Sequence, residues 1–180
     1  MCGRYVLSGD PFHLRAKDNF NVSPGQDMPV KTVDCDGQYM KWGLKTEWQE
    51  SRLLINARIE TYMQKKTFNK CKRCIVPYTG WIEWAAENNQ KQPYLLYSDK
   101  AYFAGLYDNT GFIIVTREAN NNISHIHNRQ PVLLDKYDVG LWLMGDYHIG
   151  KTSELIRYHK ISKSINKPEN NSRKYLSEVE

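Results

Sequence analysis

Met1-Cys2-Gly3 opens the chain, and a methionine before so small a residue is ordinarily removed by methionine aminopeptidase. Removal would leave Cys2 with a free α-amine and a thiol on adjacent carbons. The reference pKa values of such groups are about 8 for the amine and about 8.5 for the thiol, so at neutral pH a minority of each is already nucleophilic. An aldehyde meeting this pair can form a Schiff base with the amine and then close through sulfur into a five-membered thiazolidine. The plainer reading is a cysteine that happens to follow the initiator.

Three further polar residues are embedded where strand-like apolar runs meet turns, a common placement for catalytic groups on a rigid scaffold. Asn56 ends the apolar run Leu53-Leu54-Ile55. Glu83 lies in Trp81-Ile82-Glu83-Trp84, where strand alternation puts it on one face with Trp81 and Ala85 while Ile82 and Trp84 point the other way. So much aromatic surface predicts a desolvated carboxyl with a raised pKa, suited to general acid/base work; an exposed Glu on an edge strand fits the same pattern. His127 precedes Asn128-Arg129-Gln130-Pro131 and could be catalytic or structural. Arg4, Arg58 and Arg129 each stand beside one of these residues, whereas Lys65-Lys66, Lys70 to Lys72 and Lys160 to Lys167 read as solvated surface.

Competing chemistries fit less well. Cys71 and Cys74 with His125 and His127 would make a zinc set of unfamiliar spacing. An N-terminal Cys-Gly also begins class II glutamine amidotransferases, but their downstream Asn-Gly and Gly-His-Asn signatures are missing. Phosphate-binding glycine loops are absent, and no metal or organic cofactor is expected.

The elements that must position these groups are short. Strands are predicted at Arg4 to Leu7, Met28 to Val33, Tyr39 to Trp42, Leu53 to Ala57, Cys74 to Val76, Trp81 to Ala85, Pro93 to Tyr97, Tyr102 to Tyr107, Phe112 to Thr116 and Pro131 to Leu134. Helices are predicted from Asp10 to Asn19, Glu60 to Asn69, Lys136 to Met144 and Ser153 to His159. The connections are too short for parallel crossovers, so the class is α+β with a largely antiparallel or mixed sheet. At 180 residues, 41% hydrophobic and 12% aromatic, the chain suits one folded domain. No apolar run resembles a signal or membrane span, which predicts a cytoplasmic protein with reduced cysteines. A net charge of +5 permits a polyanionic partner without requiring one.

Met1-Cys2-Gly3-Arg4-Tyr5, Asn21-Val22-Ser23-Pro24-Gly25-Gln26, Lys41-Trp42-Gly43-Leu44, Asn56-Ala57-Arg58-Ile59-Glu60-Thr61, Arg73-Cys74-Ile75-Val76-Pro77-Tyr78-Thr79-Gly80-Trp81-Ile82-Glu83-Trp84, Phe103-Ala104-Gly105-Leu106-Tyr107 and His127-Asn128-Arg129-Gln130-Pro131-Val132 follow one another in an order that resembles the SRAP family. The resemblance implies a single domain over 1–166 with a barrel-like sheet core and flanking helices, and the polar, Asn-rich composition with Pro168 predicts loop or disorder for the tail, 167–180. The resemblance also implies an abasic-site sensor that crosslinks covalently, through Cys2, to the ring-opened aldehyde in single-stranded DNA, with lyase and (auto)peptidase side activities. Cys2 matches the nucleophile, Asn56 the active-site amide, Glu83 the acid/base and His127 the imidazole. Arg4 and Arg58 match phosphate contacts, Trp42 and Pro24 the wedge between strands, and Thr116 a threonine near the site. A monomer is expected, nucleoid-associated in a bacterium or in the host cell if viral. Lys45-Thr46 replace a usual proline, and Gln130 stands where Met is usual. A thiol peptidase, including one that removes its own Met1, and a non-covalent binder of single-stranded or modified DNA are the alternatives.

Overall fold

The structure is a computed structural model that describes residues 2–46, 49–145 and 155–180. Its strands are β1 (Tyr5–Leu7), β2 (Asn19–Val22), β3 (Asp27–Thr32), β4 (Gln38–Lys41), β5 (Leu44–Thr46), β6 (Gln49–Leu54), β7 (Asn56–Arg58), β8 (Lys72–Pro77), β9 (Gly80–Glu87), β10 (Gln90–Tyr97), β11 (Tyr102–Tyr107), β12 (Phe112–Glu118), β13 (Arg129–Pro131), β14 (Leu133–Leu134) and β15 (Arg157–Lys160). The one α-helix among the described residues is α1 (Lys136–Met144).

The strands form two main sheets. One runs β15-β10-β9-β1-β2; the other runs β13-β12-β11-β8-β3-β4, with β14 on β11 and β7 on β12, and β5 and β6 make a separate pair. All pairings are antiparallel except β7 with β12. Both sheets are open paths, so the expected barrel-like closure does not occur.

Alternation along the strands sorts side chains into layers. Tyr5 and Trp81 from the first sheet meet Cys74, Val76, Phe103 and Ile114 from the second in a shared core. On the far side of the second sheet, Ile75, Ala104, Ile113 and Val115 pack with Trp142 of α1. On the far side of the first sheet, Val6 and Ile82 pack with Ile161 and Ile165 of the C-terminal segment, joined by Phe20, Trp84 and Leu95. One short helix thus covers one outer face and the C-terminal strap covers the other. Asp135 starts α1 with a reciprocal capping box to Asp138, and Gly145 ends it in the left-handed conformation at φ 94°.

Three predicted helices are corrected. Over Asp10 to Asn19, the Asp10 carboxylate accepts from the backbone N–H of Leu14 and Arg15, and His13 and Arg15 hold φ of 55° and 59°, which no α-helix tolerates. From Glu60 to Asn69 there is a 3-10 turn at Tyr62–Gln64 followed by further turns. For Ser153 to His159, residues 153–154 lie outside the described residues, while Arg157–Lys160 is β15, paired antiparallel to β10. The tail is not loose either. It makes a 3-10 turn at Arg173–Leu176, Asn171 Oδ1 accepts from Phe20 N–H at 2.6 Å, and Glu178 bridges Ile161. No helix among the described residues is long and apolar enough to cross a membrane.

Candidate functional site

β1 and β9 run antiparallel with Tyr5 opposite Trp81, and Ile82 N–H donates to Arg4 O at 3.0 Å. That register carries residues 2 and 3 past Glu83 and Trp84. Cys2 is fully buried, its Sγ 3.8 Å from Arg4 O. Burial, followed by the nearby Glu83 charge, pushes the thiol well above its usual pKa, so it is held protonated instead of sharing the reference value of an exposed cysteine.

Glu83 is 4% exposed, and the two faces of β9 divide as the alternation predicts: Trp81 and Ala85 enter the central core while Ile82 and Trp84 face the outer cluster. Desolvation raises the carboxyl to about 7, with the amino-terminal charge a smaller opposing influence. Glu83 and His127 line one pocket of about 390 Å³ together with Trp84, Lys91 and Asn166. His127 is half-buried, which lowers its pKa; its Nδ1 accepts from Arg129 N–H at 2.9 Å. The pocket is smaller than a cavity of about 710 Å³ around Tyr39, Lys41, Lys70, Lys72 and Tyr107, but that cavity is lined by no cysteine or histidine and by none of the predicted site residues.

Asn56 lies on β7, beside β12. Its Nδ2 donates weakly to Ile114 O at 3.4 Å, and its Oδ1 is buried with no hydrogen-bond partner. A buried acceptor without a partner is an uncommon cost that a polar ligand can relieve. The Tyr5 hydroxyl is in the same condition, and Cys2 is near enough to raise its pKa beyond what burial does.

The remaining predicted residues divide. Arg58 is exposed and its guanidinium makes no hydrogen bond or ion pair among the described residues, and Pro24 is exposed on the turn between β2 and β3. Arg4 is engaged internally: Nη1 donates to Asn21 Oδ1 at 2.6 Å and to Ile165 O at 3.2 Å, tying the N-terminal strand to the C-terminal strap. Trp42 is 0% exposed, with its ring edge-on to Tyr5 and Nε1 donating to Ile55 O at 3.1 Å. A side chain with no exposed surface cannot stack on a base, so Trp42 is a strut between the Cys2 strand and the segment leading to Asn56, and not a wedge. Thr116 is likewise buried, its hydroxyl donating to Ala57 O, which removes it from direct contact with DNA.

Trp84, Lys91 and Asn166 line the same pocket and are residues that sequence reasoning does not single out. Trp84 is half-buried with its indole N–H donating to Asn166 Oδ1 at 2.7 Å, and Lys91 is exposed. The alternation that buries Glu83 marks Trp84 only as facing the opposite side, and nothing in the polar tail distinguishes Asn166. Gln130, which stands where Met is usual, is fully buried and accepts from Asn120 N–H at 2.8 Å. Cys74 is in the central core and Cys71 at the edge of the α1 layer, and no three potential metal ligands converge among the described residues.

Buried Cys2 thus lies close enough to Glu83 to feel its charge, and the raised Glu83 carboxyl shares a pocket with the His127 imidazole. The chain belongs to the SRAP family: residues 1–168 match the family described as SOS response associated peptidase (SRAP). It is 25% identical over 222 residues to the abasic site processing protein YedK of Escherichia coli K12, covering 99% of this chain and 100% of that one. It is 29% identical over 226 residues to the abasic site processing protein YoaM of Bacillus subtilis, covering 98% and 97%. With the abasic site processing protein HMCES of Xenopus tropicalis it shares 26% identity over 89% of this chain and 66% of that protein. A solved structure of a Bacteroides thetaiotaomicron protein has the same fold, with a TM-score of 0.81 at 23% identity over 99% of this chain and 100% of that one.

Proposed function

We propose that this protein processes abasic sites in single-stranded DNA by forming a covalent crosslink through Cys2. The observation that carries the reading is the shared pocket of Glu83 and His127 beside Cys2, in a chain whose relatives are named abasic site processing proteins.

After Met1 is removed, the neutral α-amine of Cys2 attacks C1′ of the ring-opened sugar. A proton moves from nitrogen to the aldehyde oxygen, giving a carbinolamine, and loss of that oxygen as water leaves the Schiff base. Near neutral pH, Glu83 at about 7 exists in both protonation states and can donate and accept in turn. His127, with its pKa lowered, stays largely neutral and can share that work. The Cys2 S–H then adds across the C=N bond: sulfur bonds to C1′, the thiol proton leaves to a neighbouring base and the imine nitrogen regains a proton, closing the thiazolidine. A raised thiol pKa suits this order, because the amine reacts first and sulfur only once the imine is beside it.

Asn56 Oδ1 gains a partner if a hydroxyl of the opened sugar or the terminal amine docks against it. Arg58 serves an adjacent phosphate, where its planar fork can bind two oxygens. Trp84, at the pocket rim, takes the stacking role that the family resemblance implies for Trp42, with Pro24 as the other exposed element, and such a platform tolerates any base. A thiol peptidase is less well supported, since it needs a thiolate poised by imidazole and burial acts against that form here.

The test is to incubate the mature protein with abasic single-stranded DNA, denature in hot SDS, and look for a shifted band. Retained Met1 or an uncleavable N-terminal tag is expected to abolish the stable adduct while sparing non-covalent binding. Cys2→Ala is expected to leave only a Schiff base trapped by borohydride. A heat-stable adduct formed at the wild-type rate by the blocked protein overturns the mechanism and moves the nucleophile to an internal lysine or to Cys35, Cys71 or Cys74.

A further inference from the structure

We propose that Glu60 is a positioning residue that acts through Arg129 to hold His127 in the tautomer with its proton on Nε2. This rests on the reading of His127 as a proton-transfer group. A backbone N–H can only donate, so the 2.9 Å contact from Arg129 N–H requires a lone pair on His127 Nδ1. The Arg129 carbonyl is also 3.2 Å from Nδ1, but a proton placed there to serve it would face the Arg129 N–H directly. The neutral ring therefore carries its proton on Nε2, which makes Nε2 the nitrogen that exchanges a proton in the pocket shared with Glu83.

The arrangement depends on where Arg129 is held. Arg129 is the first residue of β13, registered opposite Glu118, and its side chain is only 13% exposed. Its Nη1 and Nη2 each donate to one oxygen of the Glu60 carboxylate at 2.8 Å, a two-point fork that fixes orientation as well as distance. Nη2 also donates to Thr116 O at 2.8 Å, and that carbonyl accepts from Ile59 N–H at 2.9 Å, so the Glu60 end of the clamp is itself tied to β12. The hydrogen bond from Arg129 holds the Glu60 carboxyl below its ordinary pKa, which keeps the clamp charged through the neutral range. Without Glu60, the mostly buried guanidinium retains Thr116 O and must seek a new partner, pulling on the His127-to-Arg129 turn. Because Glu60 follows closely on β7, the clamp also fixes the strand of Asn56 and Arg58 relative to His127. Its two members are 69 residues apart in the chain, beyond the reach of any local pattern.

Long-range proton–nitrogen correlation spectra of the histidine rings in the full chain, without DNA, read the tautomer directly. The wild type is expected to show neutral His127 with its proton on Nε2. Glu60→Ala is expected to give a mixture of tautomers and to slow adduct formation on abasic single-stranded DNA by about tenfold or more, within the span of general acid–base catalysis. Glu60→Gln, which keeps one acceptor, should fall between the two. Should Glu60→Ala fail to fold, Glu60→Gln and Arg129→Lys, which removes the fork, give the same reading. An unchanged Nε2–H tautomer in folded Glu60→Ala or Arg129→Lys overturns the proposal, as does a slowed reaction with no change in tautomer. A wild type that makes no adduct would instead overturn the proposed function, and the ring spectrum would still decide the role of Glu60.

Discussion

Glu83 shows how one carboxyl can be costly to the fold and useful to the site. In the unfolded chain it titrates near about 4.3, whereas burial raises it to about 7 in the folded protein. Between those values the folded state binds more protons, so stability from this group is fully present in acid and is lost as pH rises toward 7. At about 1.4 kcal/mol per unit of pKa, the penalty above neutrality is about 4 kcal/mol. Glu83→Gln is therefore expected to stabilise the protein in alkaline buffer by up to that amount and to change little in acid, as measured by urea melts at both pH values. The same variant should slow adduct formation by roughly 10²-fold while leaving non-covalent DNA binding nearly intact. Equal losses of binding and reaction would make Glu83 a DNA contact, and a pH-independent stability difference would remove the desolvation account.

The two tryptophans on either side of the first sheet separate packing from function at the level of elements. Trp42→Ala empties a fully buried position between β1 and the segment entering β7, and is expected to cost about 3–5 kcal/mol in a denaturant melt. Trp84→Ala, on the outer face of β9, should cost much less and should instead weaken single-stranded DNA binding by roughly 1–3 kcal/mol, the worth of one base stack. The reverse pattern would return the wedge to Trp42. Both residues stand in the ordered motifs, but motif order carries no depth. What is legible in the sequence follows the same line. Eight of the ten predicted strands each correspond to one strand of the structure, while Leu53 to Ala57 is broken at Ile55 between β6 and β7 and Pro131 to Leu134 at Val132 between β13 and β14; the faces of Glu83 and Trp81 follow from the local two-residue alternation. The helix over Asp10 to Asn19 fails because side-chain capping by Asp10 competes with helix from within, which apolar spacing does not register. β15 escapes prediction because its strand state comes from pairing with β10, some sixty residues earlier.

For the molecule as a whole, charge and connectivity make different demands on two arginines that the sequence treats alike. A net charge of +5 gives only mild attraction to a polyanion, so phosphate contacts at named positions should dominate the salt dependence of binding. The Arg58 guanidinium has no partner among the described residues, whereas Arg4 joins the first strand to the strap that covers the outer sheet face, through Asn21 and Ile165. Asn21 reinforces that junction, its Nδ2 donating to Ile165 O and Lys167 O at 3.0 Å each. Arg58→Ala is expected to leave the melting curve within about 0.5 kcal/mol of wild type. It should lower the slope of log affinity against log salt by about 0.7, the change expected when one phosphate of a single strand is no longer neutralised. Arg4→Ala should cost about 1–3 kcal/mol, because it strips partners from the buried Asn21 amide and from a strap carbonyl, whatever it does to DNA binding. Fluorescence anisotropy titrations across a salt series, paired with urea melts, measure both quantities on the same proteins. An unchanged salt slope in Arg58→Ala would remove Arg58 from the DNA interface, and an unchanged melt in Arg4→Ala would mean that the strap is held by Asn21 and the apolar contacts of Ile161 and Ile165 alone.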